Sequence, residues 1–308
     1  MNKAESYQYA ITVFTPTYNR AHTLHRVYES LVKQTYTLFE WIIVDDGSTD
    51  ETAAIIDKWK TEADFTIRYF WQENQGKHIA INQGVKEARG ELFMIFDSDD
   101  ACTNDAVERI VYTWESISKL ERHYFAGIGT LCVDQYGKEI SPRLPSKVFD
   151  ATWLEVNYRY GVGGEKWGIF RTELLRKNPF PAEIKKQYIP ESIIWLRIGK
   201  KLKTRFINEA LRIYYIEGPS MVHEVGATKN ALGGALEHAE ILNSYIAYIK
   251  YRPLEFIRSA VHYGRFSMHR KVSLLAQYRG LRNTLGKFLW FIALPISLTV
   301  YLRDKASK

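Results

Sequence analysis

Phe93-Met94-Ile95-Phe96-Asp97-Ser98-Asp99-Asp100 is an apolar, strand-like run that releases three carboxylates just beyond its end. A buried parallel strand reads as continuous hydrophobic sequence, and open α/β sheets bind ligands outside the carboxyl ends of their strands. Carboxylates crowded into one turn repel each other unless a cation or a dense set of donors holds them. A divalent metal with a phosphate-bearing substrate accounts for the cluster economically, because Mg²⁺ is typically held by one or two carboxylates and phosphate oxygens. The plain alternative is a solvated turn followed by a helix cap at Thr103 or Asn104.

Two further strand ends repeat the pattern. Trp41-Ile42-Ile43-Val44 ends in Asp45-Asp46-Gly47-Ser48-Thr49-Asp50. Ser48 and Glu51 have capping-box spacing, which predicts a helix starting here and carrying Ala53, Ile55, Ile56 and Trp59. A capped helix explains Gly47, Ser48 and Glu51 but not the adjacent Asp45 and Asp46. A carboxylate at such a strand end can accept hydrogen bonds from a base or ribose. Upstream, Ile11-Thr12-Val13-Phe14 leads into Thr15-Pro16-Thr17-Tyr18-Asn19-Arg20, with Leu24, Val27, Tyr28 and Leu31 following at helical spacing. Pro16 stiffens that turn, Tyr18 offers a flat face, and Asn19 and Arg20 can reach a base or phosphate.

These stretches, together with Gly76-Lys77 through Asn82-Gln83-Gly84, resemble in order and spacing the signature of family 2 glycosyltransferases over roughly residues 8 to 217. The resemblance implies a GT-A fold, a nucleotide-sugar donor, a divalent metal (Mg²⁺ or Mn²⁺) and inversion at the anomeric carbon. It implies that Pro16, Tyr18 and Arg20 line the nucleotide pocket, that Asp46 contacts the uracil or its ribose, and that Lys77 lies near the base or phosphates. Asp97 and Asp99 match the D-x-D pattern, with Asp99 expected near ribose and metal and Asp100 as the most direct metal contact. A metal bridging the two phosphates would neutralise charge on the leaving nucleoside diphosphate.

An inverting transfer also needs a carboxylate to take the acceptor hydroxyl proton. In the family an acidic pair precedes a helix with a Trp-Leu-Arg-like core. The matching stretch is Tyr188-Ile189-Pro190-Glu191-Ser192-Ile193-Ile194-Trp195-Leu196-Arg197, where Pro190-Glu191 replaces the usual pair and Glu191 falls on the position of the base. The alternative role for Glu191 is a favourable charge in the first turn of a helix.

A length of 308 residues, 46% hydrophobic and 25% charged, is ordinary for a folded domain with or without an appendage. The net charge of +7 points to nucleic acid, a membrane surface or an anionic substrate, and nucleic acid is disfavoured because no zinc-type cluster or RNA-reading signature accompanies it. Cys102 and Cys132 are too few for a disulfide framework and read as reduced thiols. Met1 to Ser6 contain no apolar signal segment, which predicts a cytoplasmic protein.

Strands near residues 10–15, 41–45, 66–71 and 91–96 alternate with helical patterns near 21–34, 50–62, 78–89 and 104–119. This predicts an α/β fold with a mostly parallel central sheet flanked by helices. Residues 124–134 add a strand, and about 135–165 reads as irregular, with Trp167 a candidate acceptor contact or a plain connection residue. Two β-rich runs follow, Thr204 to Asn208 and Leu211 to Ile216. Glu217 to Met221 then reads as a lid over the diphosphate, and His223 as a lone histidine or an extra metal ligand. The catalytic domain is set at 1–217, with a lid and helical extension at 218–308.

The tail from Phe288 to Leu302 is apolar, interrupted by Pro295, and flanked by Arg279, Arg282, Lys287, Arg303 and Lys305. It reads as an interfacial membrane segment within residues 279–308 or as a terminal helix packed on protein, with room for a dimer. The expected activity is a glycosyltransferase of the hexosyltransferase type. It would take a UDP-sugar to a saccharide or lipid-linked saccharide in surface polysaccharide synthesis, in the cytoplasm or at the inner face of the cell membrane. The rivals are a sugar nucleotidyltransferase, which lacks its Gly-rich triphosphate loop here, and an inactive carbohydrate-binding scaffold.

Overall fold

The computed structural model describes residues 7–216 and 226–306. The lid at Glu217 to Met221 and His223 lie outside the described residues. The chain forms two compact units. The first comprises Met1–Trp153, Val162–Lys186 and Ile198–Ile216; the second comprises Leu154–Gly161, Gln187–Arg197 and Glu217–Lys308.

In the first unit, β1 (Tyr9–Thr17), β2 (Phe39–Asp45), β3 (Thr66–Trp71) and β4 (Gly90–Ile95) alternate with α1 (Ala21–Val32), α2 (Thr52–Glu62) and α3 (Lys77–Glu87). The sheet continues through β5 (Ala101–Cys102), β6 (Phe125–Asp134), β7 (Val148–Ala151), β8 (Trp167–Arg171) and β9 (Lys203–Tyr214), with α4 (Ala106–Glu115) and α5 (Thr172–Lys177) on the connections. Strand order is β3-β2-β1-β4-β8-β6-β9-β5, with β7 also pairing β9. The first four strands are mutually parallel, as continuous apolar runs with helical crossovers require, while β8 enters antiparallel to both β4 and β6.

Ile11, Val13, Trp41, Ile43, Leu92 and Met94 form one core with Leu24, Val27, Leu31, Ile56, Val107, Ile110 and Trp114 from the covering helices. Trp167 belongs to that core rather than to a surface: it is buried against Phe96, and its indole N–H donates to the Ile95 carbonyl at 2.6 Å. Cys102 and Cys132 are buried free thiols, as expected.

Three sequence expectations differ in detail. No capping box forms at Ser48 and Glu51. The Ser48 hydroxyl accepts instead from the Asn19 amide at 2.8 Å, and α2 begins only at Thr52, whose amide donates to the Asp50 carboxylate. The two β-rich runs at 204–216 are one long strand, because β9 absorbs its irregularity as register shifts against β6. Pro295 does not break the last helix. Its ring is exposed, and Thr299 donates to the Pro295 carbonyl.

The second unit is helical. Its elements are α6 (Ser192–Gly199, whose last two residues belong to the first unit), α7 (Ala231–Ser244), α8 (Pro253–His269), α9 (Leu274–Gly280) and α10 (Thr284–Ala306). Its own core gathers Leu242, Tyr245, Phe256, Ala260, Tyr263, Leu289, Trp290 and Ala293.

Candidate active site

The parallel register Thr17↔Asp45 and Asp45↔Trp71 brings the ends of β1, β2 and β3 level, and the Phe96 amide donates to the Phe14 carbonyl to bring β4 alongside. Each polar loop therefore starts at one sheet edge. Asn19 takes a left-handed conformation, φ 52°, that asparagine tolerates, and its side-chain oxygen accepts from the Thr49 amide at 2.8 Å. This stitches the first loop to the second and leaves Tyr18 about half exposed beside it. Pro16 is buried within β1, opposite Val44.

Asp45 and Asp46 divide their work. Asp45 is fully buried and accepts from the Ser48 amide and the Tyr69 hydroxyl, both at 2.8 Å, so it shapes the turn. Asp46 accepts from Gln72 Nε2 at 2.6 Å and from the amides of Gln75 and Gly76 at 2.9 and 2.7 Å. Its carboxylate thus organises the loop that delivers Lys77. Gly47, at φ 90°, lets that loop close in: a Cβ there would lie 2.8 Å from the Asn74 amide nitrogen. Gly84 is a packing residue, since a Cβ would lie 2.2 Å from the Phe14 ring, and Asn82 latches the Phe180 backbone through two bonds of 2.9 Å.

The acidic loop after β4 is held by cations. Lys77 Nζ donates to Asp97 Oδ1 at 2.6 Å, and Arg212 Nη2 donates to Asp97 Oδ2 at 2.7 Å. Arg212 Nε donates to Asp100 Oδ2 at 2.6 Å, and the Tyr215 amide donates to Asp100 Oδ1 at 3.1 Å. Arg212 reaches there because β5 pairs with β9 in the register Cys102↔Arg212, two residues beyond Asp100. Its side chain is only 8% exposed. Arg26 adds a second tie, donating to the Asp99 carbonyl at 3.1 Å while covering the Tyr215 ring at 4.0 Å. Asp99 turns outward, with its side chain 43% exposed and Arg20 Nη2 at 4.0 Å.

Burial works against ionisation of Asp97, but Lys77 and Arg212 outweigh it and hold its carboxyl well below the usual range. Burial, together with repulsion from Asp97 and Asp99, pushes Asp100 up to about 7 against the pull of Arg212. The guanidinium of Arg212 remains charged, because the Asp97 and Asp100 carboxylates overcome its own desolvation.

Among the described residues, no group of three or more His, Cys, Asp or Glu side chains stands ready to hold a metal by itself. The donor chemistry nevertheless fits a hard divalent cation, which needs one or two carboxylates when phosphate oxygens and water complete its shell. Asp99 is placed to supply such an oxygen, and Asp100 could do so after parting from Arg212.

The structure thus gathers Pro16, Tyr18, Arg20, Asp46, Lys77, Asp97, Asp99 and Asp100 at one edge of the first unit. Glu191 belongs to the second unit, at the head of α6, where its carbonyl accepts from the Ile194 and Trp195 amides at 3.0 and 3.2 Å. Gly233 of α7 lies against this segment so closely that a Cβ would meet the Tyr188 carbonyl oxygen at 2.4 Å. Ser192 also donates to the half-buried Glu237 of α7. Sequence reading missed Arg212 and Arg26. Arg212 lies in an unremarkable strand pattern, and its one signal is a charge directly after the buried Leu211.

Residues 12–120 match the family described as glycosyl transferase family 2. Over 290 residues the chain is 27% identical to the GalNAc(5)-diNAcBac-PP-undecaprenol beta-1,3-glucosyltransferase of Campylobacter jejuni, covering 91% of this chain and 88% of that protein. Among solved structures, S. aureus TarS 1–349 in complex with UDP superposes with a TM-score of 0.59 at 18% identity, over 97% of this chain and 92% of that one. The mannosyltransferase PcManGT of Pyrobaculum calidifontis, in complex with GDP-Man and Mn²⁺, gives 0.50 at 18% identity, over 98% and 83%. At these identities the two structures speak for the fold alone, which is GT-A.

Proposed function

The chain is a family 2 glycosyltransferase, and from that premise we propose that it moves a sugar from a UDP-sugar, with inversion, to a lipid-linked saccharide in surface polysaccharide assembly. The observation that carries this reading is the meeting of the polar loops after β1, β2 and β4 at one sheet edge, with Lys77 and Arg212 clamping the acidic loop. The undecaprenol-linked substrate named for the Campylobacter relative and the UDP in the TarS complex support the choice of acceptor and donor.

In this reading Tyr18 stacks on the base beside Pro16, and Asp46 and the loop it organises border the base and ribose. Arg20 and Lys77 face the diphosphate, and Asp99 faces the ribose. A divalent cation would be held by Asp99 and Asp100, with Asp97 beside them, and would supply charge neutralisation for the leaving nucleoside diphosphate. Glu191 accepts the proton of the acceptor hydroxyl while that oxygen bonds to the anomeric carbon and the bond to the diphosphate breaks. The reaction takes place on the cytoplasmic side, at the inner face of the cell membrane.

A panel of labelled nucleotide sugars, offered with polyprenyl-diphosphate saccharides, tests the proposal. One donor should be consumed with transfer to the acceptor, and Glu191→Gln should retain UDP binding while transfer falls on the order of 10²–10⁴-fold. Pyrophosphate release from a nucleoside triphosphate and sugar phosphate, or unchanged transfer by Glu191→Gln, would contradict it.

A further inference from the structure

The last helix of the second unit has two apolar faces, and the structure uses one. Gly286, Leu289, Trp290, Ala293 and Ser297 of α10 are buried, and the helix runs along α8. The approach is close: a Cβ on Gly264 of α8 would meet the Ser297 hydroxyl at 2.6 Å, and that hydroxyl donates to the Val261 carbonyl at 3.0 Å. Arg265 and His269 of α8 lock the far end by pairing with Asp304 at 2.6 and 2.9 Å. The opposite face presents Leu285, Phe288, Phe291, Ile292, Ile296 and Leu302 to the outside. From Leu285 to Leu302 the one charged residue is Lys287, which is half-buried with its ammonium 4.4 Å from the centre of the Tyr278 ring. A helix apolar all round belongs in a core or in lipid, and a contiguous outward stripe of this size marks an interaction surface. Short α9 extends it, with Leu274, Leu275 and Tyr278 exposed and the Tyr278 ring 6.2 Å from that of Trp290.

Charge identifies the occupant. Residues 271–308 hold seven lysines and arginines against the single Asp304, a net +6 of the chain's +7. Arg279, Arg282, Arg303 and Lys305 are exposed at the two ends of the stripe. A second copy would bring the same positive rim against its like, whereas an anionic bilayer complements it. A span is also excluded. Although α10 has 23 residues, enough for a hydrocarbon core, it is fixed along α8, whose Glu255, Arg258, Arg265 and His269 would have to enter with it.

We infer that the outward faces of α9 and α10 form a docking surface for anionic phospholipid, with α10 lying in the plane of the membrane interface and its basic ends on the headgroups. This goes beyond the proposed reaction and does not depend on it.

Flotation of the full chain with vesicles of phosphatidylglycerol and phosphatidylcholine, without nucleotide sugar, tests the surface alone. Binding is expected to these vesicles and to fall on the order of tenfold or more with phosphatidylcholine alone, at high salt, or in Phe288→Glu/Ile292→Glu. A milder variant guards against misfolding: Ile292→Cys carrying a polarity-sensitive dye should shift to the blue on vesicle addition, while the same dye at the exposed Leu120→Cys should not. Failure of the wild type to float, unchanged binding by the double variant, or resistance of the bound protein to alkaline extraction would overturn the inference. So would a dimer in solution that Phe288→Glu dissociates. Because no turnover is read, a negative result here leaves the glycosyltransferase reading to its own assay.

Discussion

Replacing Arg212 by methionine should expose how the acidic loop is balanced. The substitution keeps much of the aliphatic stem of a side chain that is 8% exposed and removes the guanidinium bonded to both Asp97 and Asp100. Removing one partner of a buried ion pair typically costs about 3–5 kcal/mol, because the other charge is left buried. Here Asp97 keeps Lys77, which places the expected loss near the lower end, about 3 kcal/mol at pH 8. Asp100 keeps only the Tyr215 amide among the contacts described above and has a second escape, which is to take a proton.

A carboxyl whose folded pKa lies above its unfolded value binds protons more readily in the folded state, so stability falls as pH rises between the two values. With Asp100 already pushed up to about 7, loss of Arg212 moves it further in the same direction. The Arg212→Met deficit should therefore be smaller near pH 5 than at pH 8, by about 1.4 kcal/mol for one carboxyl, with most of the change above pH 7. Urea unfolding followed by tryptophan fluorescence reads it directly, and Arg212→Met/Asp100→Asn should recover most of the loss at pH 8. A deficit below about 1 kcal/mol, or one that the double variant does not repair, would refute the claim that this guanidinium neutralises the loop.

Gly47→Ala, at φ 90° and with its Cβ 2.8 Å from the Asn74 amide, should cost about 1–3 kcal/mol and weaken UDP binding by displacing the loop that delivers Lys77; calorimetry and thermal melts check both. Gly233→Ala should press on the Tyr188 carbonyl and shift the Glu191 segment. Transfer is expected to fall on the order of 100-fold with UDP affinity unchanged, and steady-state kinetics beside a binding titration separates the two effects.

Local grammar made the strand ends legible. Apolar runs ending at Asp45-Asp46 and Asp97 to Asp100 can be read without tertiary information, and the parallel register then fixes that they share an edge. What sequence did not reveal is which polar residues serve the fold. Asn19 and Asn82 sit among motif residues yet spend their side chains on the Thr49 and Phe180 backbones, 30 and 98 residues away, while Asp45 turns back onto the Ser48 amide three residues on. The same long-range pairing hid Arg212, since only the β5–β9 register shows that this strand arginine faces the acidic loop. Ser48 had the spacing for a cap but found a better donor in Asn19. The course of α10 through Pro295 depended on an outward-facing ring, which local propensity cannot report.

The measurement closest to the central claim is a calorimetric titration of UDP into the wild type and Asp99→Ala, each with and without Mn²⁺. Mn²⁺ should tighten UDP binding to the wild type, and Asp99→Ala should remove the Mn²⁺ effect while metal-free binding persists. Equal UDP affinity with and without Mn²⁺ in the wild type, or a full Mn²⁺ effect in Asp99→Ala, would contradict a nucleotide-sugar site built around the acidic loop.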